Sequence, residues 1–341
     1  MSLKEIAHRA GTSVSTVSRV LNQPDYKCKN PELEARIWAA AQEISYTPNT
    51  AAQTLKSGAP QIKTTPLTFD IFLTRFPSLS QDLFFSELFE SLKKELLRQQ
   101  CVPGKFLTLP EVTSMLKEKS SFSVTDTHAD GIILLGKCPA ELISTLQNHY
   151  HNIVGIDRNP TNFDYDEVIC SGEAAAKMAV ERLITLGHKK IAYIGDCTYE
   201  SRYVGYYQTL LTHHIPFDYR HVHPSSQTEE EGARIMNDIL KEEDPPTAIF
   251  CANDCTALGV LRSLNKCRRK NYLPSVIAID NIRKSAKTSP MLTTIDIPKQ
   301  ELAHFALLLL LDQQKKAHKE CVRIELPCRL IERESCTYAP C

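Results

Sequence analysis

The chain of 341 residues lacks any long apolar run. Its longest, Phe305 to Leu311, is far short of the ~20 residues that a bilayer-spanning helix needs, and it reads as a buried helix instead. The first residues carry no apolar export segment, so the expectation is a soluble cytoplasmic protein with no membrane partner. Excess charge is missing too. Forty Lys and Arg balance forty Asp and Glu, which excludes a chain that binds nucleic acid by bulk basicity. The twelve cysteines never form a C-x-x-C pair, and Cys251 and Cys255 stand without a second pair. That argues against structural zinc and dithiol redox motifs. Cys170, Cys251 and Cys321 lie in apolar sequence surroundings and read as small core residues in a reducing compartment. His213, His214, His221 and His223 cluster around Pro216 and Pro224 and read as loop histidines, so no metal is expected. G-x-S-x-G, the P-loop, G-x-G-x-x-G and H-E-x-x-H are all absent, so no catalytic residue and no cofactor is assigned.

What is present is concentrated in the first 58 residues. Leu3, Ile6, Ala7 and Ala10 fall at helical spacing. Gly11 ends that helix, because glycine takes a left-handed cap cheaply. Thr12 or Ser13 can cap the next helix. That helix turns Val14, Val17, Val20 and Leu21 to one face and Ser15, Thr16, Ser18 and Arg19 to the other. Two short helices joined by a tight glycine turn make a helix-turn-helix. Small hydroxyl side chains allow close approach to a phosphate backbone, and an arginine can reach a guanine edge with a bidentate fork. Seven Lys and Arg against five Asp and Glu give this segment a net charge of 7 − 5 = +2. So modest a bias implies moderate affinity per subunit and a need for dimerisation. Beyond it, Pro48-Asn49 punctuates the chain, and Asn49 or Thr50 can cap a short helix with Ala51, Ala52 and Leu55 on one stripe. Alone, that helix is marginal in water; a flexible linker is the alternative.

The segments Thr16 to Asn22 (TVSRVLN) and Ile44 to Gly58 (ISYTPNTAAQTLKSG) resemble the lactose/galactose repressor (LacI/GalR) family of bacterial transcription regulators. The resemblance implies an operator-binding homodimer. Its candidate DNA contacts are Ser13, Val14, Ser15, Thr16, Ser18, Arg19 and Asn22 in the helix-turn-helix, with Asn49 and Leu55 in the hinge. In the family the hinge helix orders on operator DNA, pairs with its dimer mate and wedges a leucine into the minor groove, a position matched by Leu55.

After Pro66, short apolar strands alternate with amphipathic helices, which argues for parallel doubly wound sheets. Predicted strands include Leu67–Leu73, Gly131–Leu135, Ile153–Ile156, Ile191–Ile194, Ala248–Cys251 and Val276–Ile279. The family implies two such subdomains joined by three crossovers around a ligand cleft, like periplasmic sugar-binding proteins. Leu186 to Asp196, Ala252-Asn253-Asp254 and Met291 to Asp296 match family landmarks; Thr68 to Asp126 matches least. The fold expected is an N-terminal all-α helix-turn-helix domain plus an α/β periplasmic-binding-protein-like sensor. Its expected bounds are residues 1–45 for DNA binding, 46–60 for the hinge and 61–341 for the sensor. The sensor divides at about 67–168 plus 296–322 and 169–295 plus 323–336.

Ligands in open α/β sheets bind beyond the carboxyl ends of strands. Asp157, Arg202, Asn253, Asp254 and Asp280 follow predicted strands. Carboxylates, an amide and a guanidinium suit sugar hydroxyls. The bland alternatives are that Asn253 or Asp254 caps a helix and Asp280 shapes a turn. By resemblance, Arg202, Asn253, Asp280 and Asp157 are the effector contacts. Ile297 and Lys299 depart from the lactose-responsive branch, while GKCPAEL near Gly136 and the segment ending at Ile282 look closer to the galactoside-responsive one. The function implied is repression relieved by a small sugar, a galactoside. The alternatives are a corepressor-dependent purine-type repressor and a global carbon regulator that binds a phosphorylated carrier protein. No leucine heptad follows Leu330, so a dimer is expected rather than a tetramer.

Overall fold

A computed structural model describes residues 3–22, 26, 28, 30–44, 66–75, 77–117, 129–157, 159–161, 164–198, 200–267 and 272–340. The expected hinge, with Asn49 and Leu55, lies outside the described residues.

Helices α1 (Leu3–Ala10), α2 (Val14–Asn22) and α3 (Pro31–Glu43) form the N-terminal unit. Their apolar faces, with Ile6, Ala7, Val17, Leu21, Ile37 and Trp38 buried, close on one small core. Asn30 Oδ1 caps α3 by accepting from Glu32 N and Leu33 N. Leu97, from the next large helix, joins the same core.

The sensor holds two six-stranded sheets. The first is built from β1 (Thr68–Leu73), β2 (Val102–Thr108), β3 (Gly131–Leu135), β4 (Ile153–Asp157), β5 (Asp166–Ile169) and β11 (Arg323–Glu325), in the order β11-β5-β4-β3-β1-β2. The second contains β6 (Ile191–Gly195), β7 (Val222–Pro224), β8 (Ala248–Cys251), β9 (Ser275–Asp280), β10 (Thr293–Asp296) and β12 (Arg329–Ile331), in the order β12-β10-β9-β8-β6-β7. Every pairing is parallel except β10 with β12. The central strands read as unbroken apolar runs because helices cover both faces, and all five residues of β3 and of β6 are buried.

The helices of the first sheet are α4 (Leu83–Arg98), α5 (Leu109–Lys117), α6 (Ala140–His149) and α11 (Lys299–Gln314). Those of the second are α7 (Gly172–Thr185), α8 (Ser201–Thr212), α9 (Glu229–Ile239) and α10 (Asp254–Lys266). The apolar run Phe305–Leu311 lies in α11, where Leu302, Ala306, Leu307 and Leu310 are buried. No helix among the described residues is long and apolar enough to cross a membrane.

The chain passes between the sheets three times: after β5, after β10 and after β11. The last handover differs from expectation. Arg323–Glu325 pairs in register with Glu167–Ile169 of β5, so it belongs to the first sheet rather than to the second. Cys321 also departs from the core reading, since it is exposed. Edge strand β2 went unforeseen because Pro103 and Gly104 interrupt its pattern, which an edge position tolerates.

Helices α9 and α10 cross at backbone contact. A Cβ built on Gly259 would stand 1.9 Å from Glu229 O, and one on Gly232 2.1 Å from Thr256 O. Gly259→Ala should therefore force the two helices apart and destabilise the fold by about 1–3 kcal/mol. Urea denaturation checks this; an unchanged midpoint would mean that the helices are not packed this closely.

Candidate functional site

The DNA-facing candidate is built on the turn between α1 and α2. Gly11 sits at φ +65°, and Thr12 N donates to Ala7 O at 2.9 Å, closing α1. Of the two possible caps, Ser13 is the one used: its Oγ accepts from Thr16 N at 3.1 Å. The same hydroxyl bonds to Ser15 Oγ and Thr16 Oγ1. Val17, Val20 and Leu21 are buried beneath, whereas Val14, Ser15 and Arg19 are exposed and Thr16 and Ser18 half-buried. Asn22 is the last residue of α2. The Arg19 guanidinium lies 5.6 Å over the Tyr26 ring. Tyr26 thus packs against the Arg19 side chain, a contact that sequence spacing could not reveal because its neighbours carry no periodic pattern.

The second candidate lies where the carboxyl ends of the two sheets meet. Asp157 is the last residue of β4 and is half-buried. Arg202 sits in the first turn of α8 with no exposed surface. Its Nε and Nη2 donate to the two carboxylate oxygens of Glu200 at 2.7 and 2.9 Å. Its Nη1 donates to Ala252 O at 2.8 Å, and Nη2 also reaches Gln227 Oε1 at 3.2 Å. Burial alone would lower the guanidinium pKa, but the Glu200 carboxylate more than reverses that. Asn253 caps α10, accepting from Thr256 N and Thr256 Oγ1, and its Nδ2 donates to Gln227 O at 3.0 Å. Gln227, held at φ +66° and buried, is thus the hub between Arg202 and Asn253.

Asp254 accepts from Ile282 N, Ser285 Oγ and Thr294 Oγ1. Burial, and then neighbouring Asp280, pushes its carboxyl up to about 7 against those bonds. It ties α10 to β10 and to the turn after β9, which is a structural role. Asp280 ends β9 at φ +124°, and its carbonyl accepts from Lys299 Nζ at 2.6 Å. Ile297 is buried.

Among the described residues, several polar contacts join the two sheets across this region. Arg75 Nη2 donates to Gln227 Oε1 at 3.1 Å. Ser201 N donates to Asn159 Oδ1 at 3.0 Å, and Arg283 N to Glu87 Oε1 at 2.7 Å. Lys299 Nζ donates to the carbonyls of Asp280 and Asn281, with Glu87 3.6 Å from the same ammonium. The sequence reading named Arg202, Asn253 and Asp280 here but missed Glu200, Gln227, Arg75, Asn159 and Glu87. Glu200 carried a usable signal, a carboxylate at the N-cap two residues before an arginine. Gln227 carried none, because β7 is three residues long and lies among prolines. Of the four clustered histidines, His223 lies on β7 and His221 in the short 3-10 turn before it. Among the described residues no group of three His, Cys, Asp or Glu could hold a metal ion.

Residues 2–49 match the family described as bacterial regulatory proteins, lacI family, and residues 180–336 match the periplasmic binding protein-like domain. Among relatives, the HTH-type transcriptional repressor PurR of Klebsiella pneumoniae is 29% identical over 349 residues, spanning 99% of this chain and 98% of that protein. PurR of Photorhabdus laumondii is 28% identical over 350 residues with the same coverage. Among solved structures, a transcriptional regulator CelR–cellobiose complex superposes with a TM-score of 0.70 at 22% identity over 98% of this chain and 99% of its own. A LacI family transcriptional regulator from Enterococcus faecium with bound ribose gives 0.68 at 24% identity over 80% of this chain and 100% of its own. The Lac repressor dimer bound to operator and the anti-inducer ONPF gives 0.65 at 22% identity over 98% of both chains. These likenesses establish the fold.

Arg202→Ala should do more than delete a ligand contact, because it strands the Glu200 carboxylate, which is 4% exposed. Breaking a buried pair on one side typically costs about 3–5 kcal/mol. Arg202→Ala should lower the unfolding free energy by that much, and Arg202→Met with Glu200→Gln should recover most of it. A single variant as stable as the parent, measured in urea, would show that Glu200 does not depend on Arg202.

Proposed function

The chain belongs to the lacI family of bacterial regulatory proteins, and from that premise we propose a homodimeric operator-binding repressor controlled by a small effector held between its two sheets. Residues 1–45 read DNA, 46–60 act as hinge, and 61–341 sense the effector and dimerise. No catalytic role is assigned. The observation that carries the DNA reading is the exposed face of α2. Ser13 caps the helix, the buried valines seat it on α1 and α3, and Val14, Ser15 and Arg19 are left pointing outward. An arginine on such a face reads a guanine bidentately, which is worth about 1–3 kcal/mol at one base. A two-fold dimer reads a near-palindromic operator.

For the effector we propose a sugar of galactoside type, with Asp157, Arg202, Asn253 and Asp280 as the contacts and Gln227 and Arg75 beside them. Polar groups dominate the strand ends. The aromatic rings nearest Arg202 pack on one another: Tyr193 stacks on Tyr206 at 5.3 Å and tilts against Tyr203 at 5.4 Å. That supports hydroxyl recognition over a stacked base. The second reading, a purine-type corepressor, is favoured by the PurR relatives that span almost the whole chain.

Two measurements test these readings. Binding-site selection with Arg19→Ala should relax one base position and weaken operator binding; an unchanged consensus at full affinity would sink the DNA assignment. A thermal-shift screen of galactosides, other sugars and purine bases tests the effector. A sugar that raises Tm should also weaken operator binding, and operator should weaken that sugar reciprocally. A purine that raises Tm and tightens operator binding would replace the sugar reading with the corepressor one.

A further inference from the structure

The first and third crossovers between the sheets run side by side. Ile169, the last residue of β5, pairs with Glu325, the last of β11. Its carbonyl accepts from Leu326 N at 2.8 Å. The next residue on one crossover is Cys170, buried; on the other, just before β12, stands Cys328, half-buried. The pairing at Ile169 and Leu326 sets these two cysteines on neighbouring stretches of chain, and the Cys170 side chain is the foremost influence on the Cys328 thiol. Cys170 also donates its backbone N–H to Asp157 O at 3.3 Å, so this point of the crossovers touches a strand end of the candidate cleft.

We propose that Cys170 and Cys328 form a reversible disulfide that staples two of the three crossovers, with a hydroperoxide as the oxidant. A disulfide requires a Cβ separation of about 3.5–4.5 Å, and two crossovers tied together at Ile169 and Leu326 can bring these side chains to it. Cys328 reacts first, because it is the partner with solvent access. Its thiolate attacks the terminal peroxide oxygen, the O–O bond breaks, and the departing oxygen takes up a proton and leaves as water (from hydrogen peroxide). Cys328 is then a sulfenic acid. The Cys170 sulfur attacks that sulfur, the S–O bond breaks, and hydroxide leaves as a second water with the proton from Cys170. Two thiols lose two electrons and the peroxide gains them. A low-pKa, accessible thiol beside a resolving partner is the usual arrangement for such chemistry.

The surroundings set Cys328 apart from five of the other cysteines. The Cys170 side chain is the largest influence on Cys328 and holds its pKa below the ordinary thiol value, against partial burial. Burial pushes Cys101, Cys197 and Cys336 up to about 11 and Cys138 and Cys255 up to about 12, where little thiolate forms. The bond would close a loop holding most of the second sheet, so its mechanical effect falls on the crossovers rather than on either sheet. Its consequence for operator release rests on the repressor reading above; the thiol chemistry does not.

The test uses the full chain, first reduced and then exposed to stoichiometric hydrogen peroxide. Free thiols are blocked with N-ethylmaleimide, and a non-reducing digest is mapped by mass spectrometry. The expected result is a linked Cys170–Cys328 peptide that dithiothreitol dissolves. In Cys170→Ser the reaction should stop at a Cys328 sulfenic acid, captured by dimedone. A map in which other cysteines oxidise while this pair stays reduced overturns the proposal, and the wild-type map needs no variant to give that answer. Hydrogen exchange then reads the staple. The amides of Cys170 and Leu326 should lose exchange on oxidation, and equal rates in both forms would overturn the effect on the crossovers even where the bond forms.

Discussion

The ion pair between Glu200 and Arg202 is the constraint on which the mouth of the second sheet depends. Removing two charges from water costs several kcal/mol for each ion, and only close geometry with further hydrogen bonds recovers it. Here the geometry is bidentate, and the guanidinium also reaches Ala252 O and Gln227 Oε1. The pair in turn positions Gln227, whose carbonyl holds Asn253, which caps α10. Gln227 Oε1 also accepts from Arg75 of the first sheet. A continuous polar path therefore runs from a fully buried charge to the opposite side of the cleft. An effector entering there must exchange its own groups for members of this path. It shifts the protein only by the difference in how well it does so in the two arrangements of the sheets.

The energies divide in a way that suits such exchange. The sheets and their helices are dry and close-packed, and they resist deformation. The hydrogen bonds that cross between them lie at the cleft mouth, beside a core cluster that draws apolar residues from both. Arg283 is exposed while Glu87 and Lys299 are half-buried, and partly solvated pairs of this kind contribute little each. Motion thus concentrates at the crossovers and the cross-cleft bonds. The thiols of Cys170 and Cys328 lie at that soft point, so a single covalent change there acts on the one coordinate left free.

The architecture was legible where the pattern is a matter of period. The central strands are apolar runs because both faces are covered, and α1 and α2 announce themselves through Gly11 and the valine spacing. Edge strands were not legible: β2 contains Pro103 and Gly104, β7 is a three-residue strand, and β11 and β12 are equally short and partly exposed. Neither propensity nor period marks such segments, because pairing with a neighbour already in place defines them. At the cleft, residue type at a strand end found Arg202, Asn253 and Asp280 but could not say that each is already bonded within the protein. Asn253 serves as the helix cap that its sequence position allowed, and Arg202 belongs first to Glu200. The further partners, Ala252 and Gln227 for Arg202 and Gln227 for Asn253, lie 25 to 50 residues away in sequence, and no one-dimensional spacing encodes them.

One helix connects the two candidate sites. Asp82 caps α4, accepting from Phe84 N and Phe85 N, and fixes its start at the cleft mouth. Glu87, one turn in, accepts from Arg283 of the second sheet and lies beside Lys299. Leu97, near the far end, is buried in the core of the N-terminal unit with Ile37 and Trp38. Between these points Leu88, Leu92 and Leu96 are fully buried against the first sheet. A helix of 16 residues is about 24 Å long at 1.5 Å per residue, and one packed this way moves as a rod. Rearranging the sheets breaks or keeps the Glu87–Arg283 contact at one end of that rod, and its other end is seated in the unit that carries Arg19. The cleft and the reading face therefore share a rigid element, independent of whatever passes through residues 45–65.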